Sequence, residues 1–164
     1  MKKVGIILSA IALGAVSLLP FNVSAGTGSA KGEKTLGLAG GYATHNQGAF
    51  ASVFFHYSFS NHVRIAPEIA YVFRNDDKSA FNINLNMQFP FRIARGLQVY
   101  PLVGFASNNW NQVGHGNSYR FGGNFGGGFD LYLTQYLKLN LEGKYSLMNK
   151  CSGAYVGLGI GYVF

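Results

Sequence analysis

With a single cysteine, Cys151, among 164 residues, the chain cannot form an internal disulfide. Charge is also scarce: Asp, Glu, Lys and Arg make up 12% of the residues, about half the usual ~25% share of a soluble domain. No phosphate-binding loop is present. The glycines between Gly122 and Gly128 do not fit the G-x-G-x-x-G spacing, and no lysine follows them. His45, His56, His62 and His115 are dispersed and show no zinc-ligand spacing, so neither a metal nor a cofactor is expected. The net charge is +7, but the basic residues are scattered singly, which argues against a nucleic-acid partner. Past residue 25 there is no apolar run of the ~18 residues that a spanning helix needs. Yet 48% of the chain is hydrophobic. A membrane chain without such runs can satisfy its backbone in lipid only as a closed β-barrel.

The N-terminus fits an exported protein. Lys2 and Lys3 precede an apolar stretch over residues 4–19, and Val23-Ser24-Ala25 offers a small-residue cleavage site. This pattern predicts a cleaved secretory signal peptide over 1–25, with residues 26–164 as one barrel domain. No cysteine follows the apolar stretch, so no lipid anchor is expected there.

What the remaining sequence has in quantity is alternation. Period-2 patterning recurs over residues 35–44, 49–59, 63–74, 80–93, 97–106, 119–133, 137–147 and 153–164. The fourth segment is the cleanest: Phe81, Ile83, Leu85, Met87, Phe89 and Phe91 alternate with Asn82, Asn84, Asn86 and Gln88. Each segment is about ten residues long, the length at which a tilted strand crosses the hydrocarbon layer. An even number of strands closes an antiparallel barrel with both chain ends on one side. The second, fourth and sixth connections (60–62, 94–96 and 134–136) read as tight turns. The fifth, over 107–118, reads as a twelve-residue loop. Short periplasmic turns and longer external loops then predict an outer-membrane location with both termini periplasmic. Pro67, Pro90 and Pro101 fall inside strands, where each removes a ladder donor, so bulges or breaks are expected at all three.

One face of the strands is nearly all aromatic and aliphatic; the other mixes Gly, Ala, Asn, Ser and a few charges. An eight-stranded barrel has an interior that side chains just fill. The apolar face is therefore assigned to lipid and the mixed face to the lumen. That places Arg64, Glu68, Arg120, Asp130, Lys138, Glu142 and Lys144 inside, where buried charges must pair. A lumen closed by a ring of pairs is the expectation. A selective or gated pore is the alternative.

Two further constellations merit weighing. The fifth connection is polar and uncharged and holds the only tryptophan, which makes Trp110, Asn111 and His115 candidates for an exposed binding loop. The competing reading is an interfacial tryptophan beneath a solvated loop. His56 and Ser58 share one strand face with Glu68 on the next strand, the residue set of a Ser/His/Glu hydrolase. The His56-Tyr57-Ser58 element resembles the His-x-Ser-Asn element of outer-membrane lipid A deacylases, but Phe59 stands where Asn is needed. No catalytic residue is assigned.

The end of the chain carries the most specific resemblance. In 154–164, even positions are apolar or aromatic and odd positions mostly glycine, and Leu158, Ile160, Tyr162 and Phe164 share one face. This resembles the closing strand of bacterial outer-membrane β-barrels, whose terminal aromatic and alternating hydrophobics are read by the barrel-assembly machinery. Residues 126–133 and 139–145 look like the last hairpins of small OmpA/OmpX-type, porin-family barrels. The resemblance implies an all-β, eight-stranded, up-and-down transmembrane barrel. It implies a monomer in contact with outer-membrane lipid and lipopolysaccharide, without a cofactor. An extracellular ligand of unknown identity is left open. The function implied is structural or surface-interacting and not enzymatic. A narrow passive pore is the alternative, and a lipid-modifying enzyme a more distant one.

Overall fold

A computed structural model describes residues 29–164, apart from 46, 76–77, 113–115 and 149–151. The expected signal peptide, His115 and Cys151 lie outside the described residues. Nine strands run in order: β1 (Lys34–Ala43), β2 (Gly48–Ser60), β3 (Val63–Asn75), β4 (Lys78–Gln88), β5 (Phe91–Ala94), β6 (Leu97–Gln112), β7 (Gly116–Tyr132), β8 (Leu137–Met148) and β9 (Gly153–Val163). Every pairing is antiparallel, and β1 pairs with β9 from Thr35↔Val163 to Ala43↔Tyr155, which closes the sheet. β4 and β5 both pair with β6 in the same register, so together they form one stave. The result is an eight-stave, closed, up-and-down barrel without free edges.

The alternation sorts side chains in the reverse of a soluble protein. Leu38 is 62% exposed, Leu158 59% and Phe164 60%, whereas Arg64, Asp130 and Lys138 are 0%. An apolar wall outside a charged interior is the signature of a transmembrane barrel, because lipid takes the place that a soluble protein's core would occupy. Aromatic contacts band the wall near both ends. Tyr162 stacks with Phe164 (6.3 Å) and Tyr136 (6.2 Å) at the end that carries both termini. Phe105 stacks with Phe121 (6.0 Å) toward the opposite, loop end.

One proline expectation is met, and the structure departs from the sequence reading in three other respects. The fourth predicted strand is broken at Pro90 as expected, with β4 ending at Gln88 and β5 starting at Phe91. Pro90 has no N–H to continue the ladder. First, the other prolines do not shift the register. The pairs flanking Pro67, Phe54↔Glu68 and Tyr57↔Ile65, keep one alignment, and Pro101 sits in an unbroken ladder opposite Gly127. The register shifts fall at strand ends instead, as at Ser58/Ser60 and Val72/Asn75.

Second, residues 107–118 are not a twelve-residue loop. The β6–β7 ladder continues from Ser107↔Phe121 to Gln112↔Gly116. Asn and Ser look like loop residues, but ladder hydrogen bonds are backbone bonds and persist wherever two strands are already aligned. Third, the expected length asymmetry is not carried by a long fifth loop. The asymmetry lies instead in the 16- and 17-residue strands β6 and β7.

Glycine permits the tightest approaches inside. A Cβ on Gly126 would run into the Gly143 carbonyl and the Lys144 Cα on β8, and one on Gly128 would meet the Tyr100 hydroxyl. The glycines of β7 therefore let β8 and an inward tyrosine close on the same strand.

Candidate functional site

The lumen holds the clustered polar chemistry among the described residues. Inward parity brings Arg64 and Glu68 from β3, Gln88 from β4, Tyr100 from β6, Asp130 and Tyr132 from β7, and Lys138, Asn140, Glu142 and Lys144 from β8 into one column. Near the terminal mouth, Tyr132 Oη donates to Glu33 Oε1 (2.8 Å). Lys138 Nζ lies 3.7 Å from Glu33 and 3.7 Å from Asp130, and 5.4 Å from the centre of the Tyr132 ring. Asp130 is the hub. Its Oδ2 accepts from Arg64 Nη1 at 2.6 Å and its Oδ1 from Asn140 Nδ2 at 2.8 Å. The Arg64 guanidinium also lies 4.8 Å over the Tyr100 ring.

Midway, Arg64 Nε donates to Gln88 Oε1 (2.6 Å) and Gln88 Nε2 to Glu142 Oε2 (2.9 Å). Glu142 also accepts from Tyr100 Oη (3.1 Å) and pairs with Lys144 (3.1 Å). Lys144 reaches Glu68, which accepts a further bond from Asn84 (3.1 Å). β3 and β8 lie diametrically opposite among eight staves, so the Lys144–Glu68 pair spans the lumen. The ladder then passes through Asn84, Asn86, Asn124 and Ser146. At the loop end it gives way to a buried apolar cluster of Ala43, Phe50, Ala70, Val72, Ala80, Ala106, Met148 and Tyr155. Phe50 meets Tyr155 edge-on at 5.8 Å. Between the charged column and this cluster is a cavity of about 20 Å³ bordered by Phe54, His56, Glu68, Gln88, Asn140 and Lys144, room for about one water.

Six of the seven charges read from the sequence as lumenal stand in this column. Arg120 is half-buried opposite Asn108, ten residues and roughly 30 Å along β7 from Asp130. Sequence reasoning missed Glu33, which precedes β1 and so has no strand parity. It also missed the roles of Tyr100 and Tyr132, although their even positions marked them as inward. The apolar cluster was missed because the inward face was read as mixed and polar, although parity sets Phe50 and Tyr155 on it.

The three hydrolase-like residues are each engaged elsewhere. Ser58 Oγ is bonded to Ser29 Oγ (2.7 Å), and Glu68 is held by Lys144 and Asn84. His56 stacks on Phe54 at 4.6 Å, and its Nδ1 has no hydrogen-bond partner among the described residues. The interior histidine is thus not bonded to Glu68 through Nδ1. Of the loop candidates, Trp110 and Asn111 lie in β6, paired with Ser118 and Asn117, while His115 is outside the described residues. Leu158, Ile160 and Tyr162 project outward from β9, exposed by 59%, 48% and 57%, with Phe164 just beyond. No group of His, Cys, Asp and Glu able to hold a metal occurs among the described residues.

A closed barrel of this size, lipid-facing outside and charge-paired within, falls among the small transmembrane β-barrels. No family model matches the chain, and no curated protein matches it in sequence. Solved structures are similar in fold. The N-terminal β-barrel domain of OprF from Pseudomonas aeruginosa superposes with a TM-score of 0.72 at 18% identity, covering 83% of this chain and 100% of that one. Neisserial surface protein A gives 0.66 at 14% identity, over 82% of this chain and 98% of its own. Ail, the attachment invasion locus protein of Yersinia pestis, gives 0.59 at 17%, over 82% and 99%.

Proposed function

We propose that this chain is an integral outer-membrane β-barrel protein with a structural or surface-interaction role, and that it neither conducts solutes nor catalyses a reaction. The observation that carries this reading is the set of chords across the lumen. Arg64–Asp130, Gln88–Glu142 and Lys144–Glu68 cross between staves three or four apart. A hydrated ion would have to part these pairs and then pass the Phe50–Tyr155 cluster. Parting a buried pair exposes an uncompensated charge at a cost of about 3–5 kcal/mol. Purified protein in planar bilayers is therefore expected to stay closed. Large, steady conductance would assign it to the narrow pores instead.

The compartment and orientation rest on the expected signal peptide and on the fold likeness to outer-membrane barrels. In that orientation the termini face the periplasm and the β6–β7 hairpin faces outward. An epitope inserted between Val113 and Gly114 is expected to be labelled on intact cells. Labelling only after permeabilisation would invert the barrel.

The partners of this reading are membrane lipid and lipopolysaccharide along the apolar wall, with the barrel acting as a monomer. The assembly machinery reads Leu158, Ile160, Tyr162 and Phe164, and the outward hairpin is the surface open to an extracellular ligand. Phe164 separates a recognition signal from a simple girdle aromatic. As a girdle residue it contributes burial in lipid of roughly 1.5–3 kcal/mol, lost equally in cells and in micelles. As a signal, its deletion lowers the inserted protein in cells while refolding into detergent micelles stays near normal. The second pattern is expected.

A further inference from the structure

Every acidic side chain among the described residues is paired with a cation of the barrel. The chain has six. Glu68, Asp130 and Glu142 are in the lumen column, Glu33 is held by Tyr132 and Lys138, and Asp76 and Asp77 fall between β3 and β4 in the chain. The rim that carries both termini thus exposes Lys31, Lys34, Arg92 and Arg95. None of these four forms an ion pair among the described residues. They are not spread evenly. They follow the arc from β1 past the 61–62 turn to β5, whereas the 133–136 turn across the barrel has no charged residue.

Within that arc lies a basin of about 300 Å³ lined by Ser29, Ala30, Asn61, His62, Pro90, Arg92 and Gln98, the small end of the ~300–1,000 Å³ range of ligand cavities. Arg92 and Gln98 are direct partners across the β5–β6 ladder, which puts their Cβ atoms about 5 Å apart. Gln98 is 2% exposed, and its Oε1 has no hydrogen-bond partner among the described residues. A buried carbonyl oxygen without a donor costs stability until something supplies one. The basin thus pairs a guanidinium, suited to a phosphate, with an acceptor that needs an O–H or N–H.

Its depth points to the carrier of that phosphate. His62, on the basin's edge, contacts Phe91 with ring centres 6.5 Å apart. Phe91 belongs to the lipid-facing wall with Phe59 and Ile93, exposed by 51%, 51% and 57%. The basin therefore opens at the height of the headgroups, with acyl-chain surface directly beside it. We propose that it binds the headgroup of an anionic glycerophospholipid bearing free hydroxyls, of the phosphatidylglycerol type, from the leaflet at the terminal end. Arg92 takes the phosphodiester, Gln98 Oε1 accepts from a glycerol hydroxyl, and Lys31, Lys34 and Arg95 supply the field around them. A choline headgroup has no O–H or N–H donor for Gln98. An ethanolamine headgroup has one but brings a positive charge into a cationic arc.

The test is lipid retention by the intact barrel, read by native mass spectrometry from detergent micelles doped with either phosphatidylglycerol or phosphatidylcholine. The wild type is expected to keep one phosphatidylglycerol at least tenfold more often than phosphatidylcholine. Arg92→Gln should lower retention of phosphatidylglycerol severalfold, because the phosphodiester loses its guanidinium partner. Arg92 is exposed, so the heat-sensitive gel mobility of a folded barrel should be unchanged in that variant. Gln98→Leu should lower retention of phosphatidylglycerol and leave that of phosphatidic acid, which has no glycerol hydroxyl, as it was. Equal retention of both lipids by the wild type, or no effect of Arg92→Gln, overturns the proposal. Tighter binding of free glycerol phosphate than of the lipid, followed through the Gln98 side-chain amide by NMR, would assign the basin to a soluble phosphate ester and also overturn it.

Discussion

Asp130→Ala is expected to cost the folded barrel about 3–5 kcal/mol, the scale for removing one partner of a buried charge pair. Asp130 is fully buried and takes Arg64 at 2.6 Å, Asn140 at 2.8 Å and Lys138 at 3.7 Å. Alanine leaves one guanidinium without its carboxylate and one ammonium with Glu33 alone, 3.7 Å away. Lipid surrounds the barrel at this depth, so solvent cannot take over. Asp130→Asn retains an acceptor oxygen near Arg64 without the charge and is expected to cost less. The measurement is urea unfolding of the protein in lipid vesicles, followed by the mobility of unheated samples on a gel. An Asp130→Ala variant within about 0.5 kcal/mol of the wild type, the range of ordinary surface substitutions, would show that the column does not hold the barrel together.

The outer face of this fold is easy to read from sequence because lipid enforces it. Every outward position within the membrane must be apolar, so period 2 survives in β4 from Phe81 to Met87 and in β9 from Val156 to Tyr162. Parity then also assigns Arg64, Glu68, Asp130, Lys138, Glu142 and Lys144 to the interior. Which of them pair is not a local property. It depends on the stagger between staves, which sets Lys144 across from Glu68, 76 residues away. Beyond the lipid belt the enforcement stops. Ser107, Asn108, Asn109, Asn111 and Gln112 read as loop because nothing there demands alternation, yet their backbone ladder with β7 continues. Proline misleads in the opposite sense. A missing N–H at Pro67 or Pro101 removes a single bond, and strands paired on both sides in a closed sheet keep their register without it.

The same closure leaves Gly126 no room for a side chain. Gly126→Val is expected to prevent the barrel from forming. The added Cβ would fall on the Gly143 carbonyl and 2.6 Å from the Lys144 Cα, both backbone atoms of β8. A flexible side chain could swing aside, but a strand can yield only by opening the Gly126↔Lys144 region of the β7–β8 ladder. β8 is also paired with β9, which is paired with β1, so the displacement has no free edge at which to dissipate. Overpacking of a well-filled interior costs about 1–3 kcal/mol when neighbours can adjust, and more is expected where the neighbour is backbone. Gly143→Val provides the control. Gly143 lies one residue from Lys144 on the same strand but projects outward, and a Cβ there meets nothing within 4 Å. Valine is also favoured over glycine in strands. Gly143→Val is therefore expected to refold into micelles as well as the wild type or better, while Gly126→Val yields no species whose gel mobility changes on heating. Equal refolding of the two variants would mean that the glycines of β7 do not set the spacing between β7 and β8, and that the lumen has slack where the packing of Gly126 against β8 leaves none.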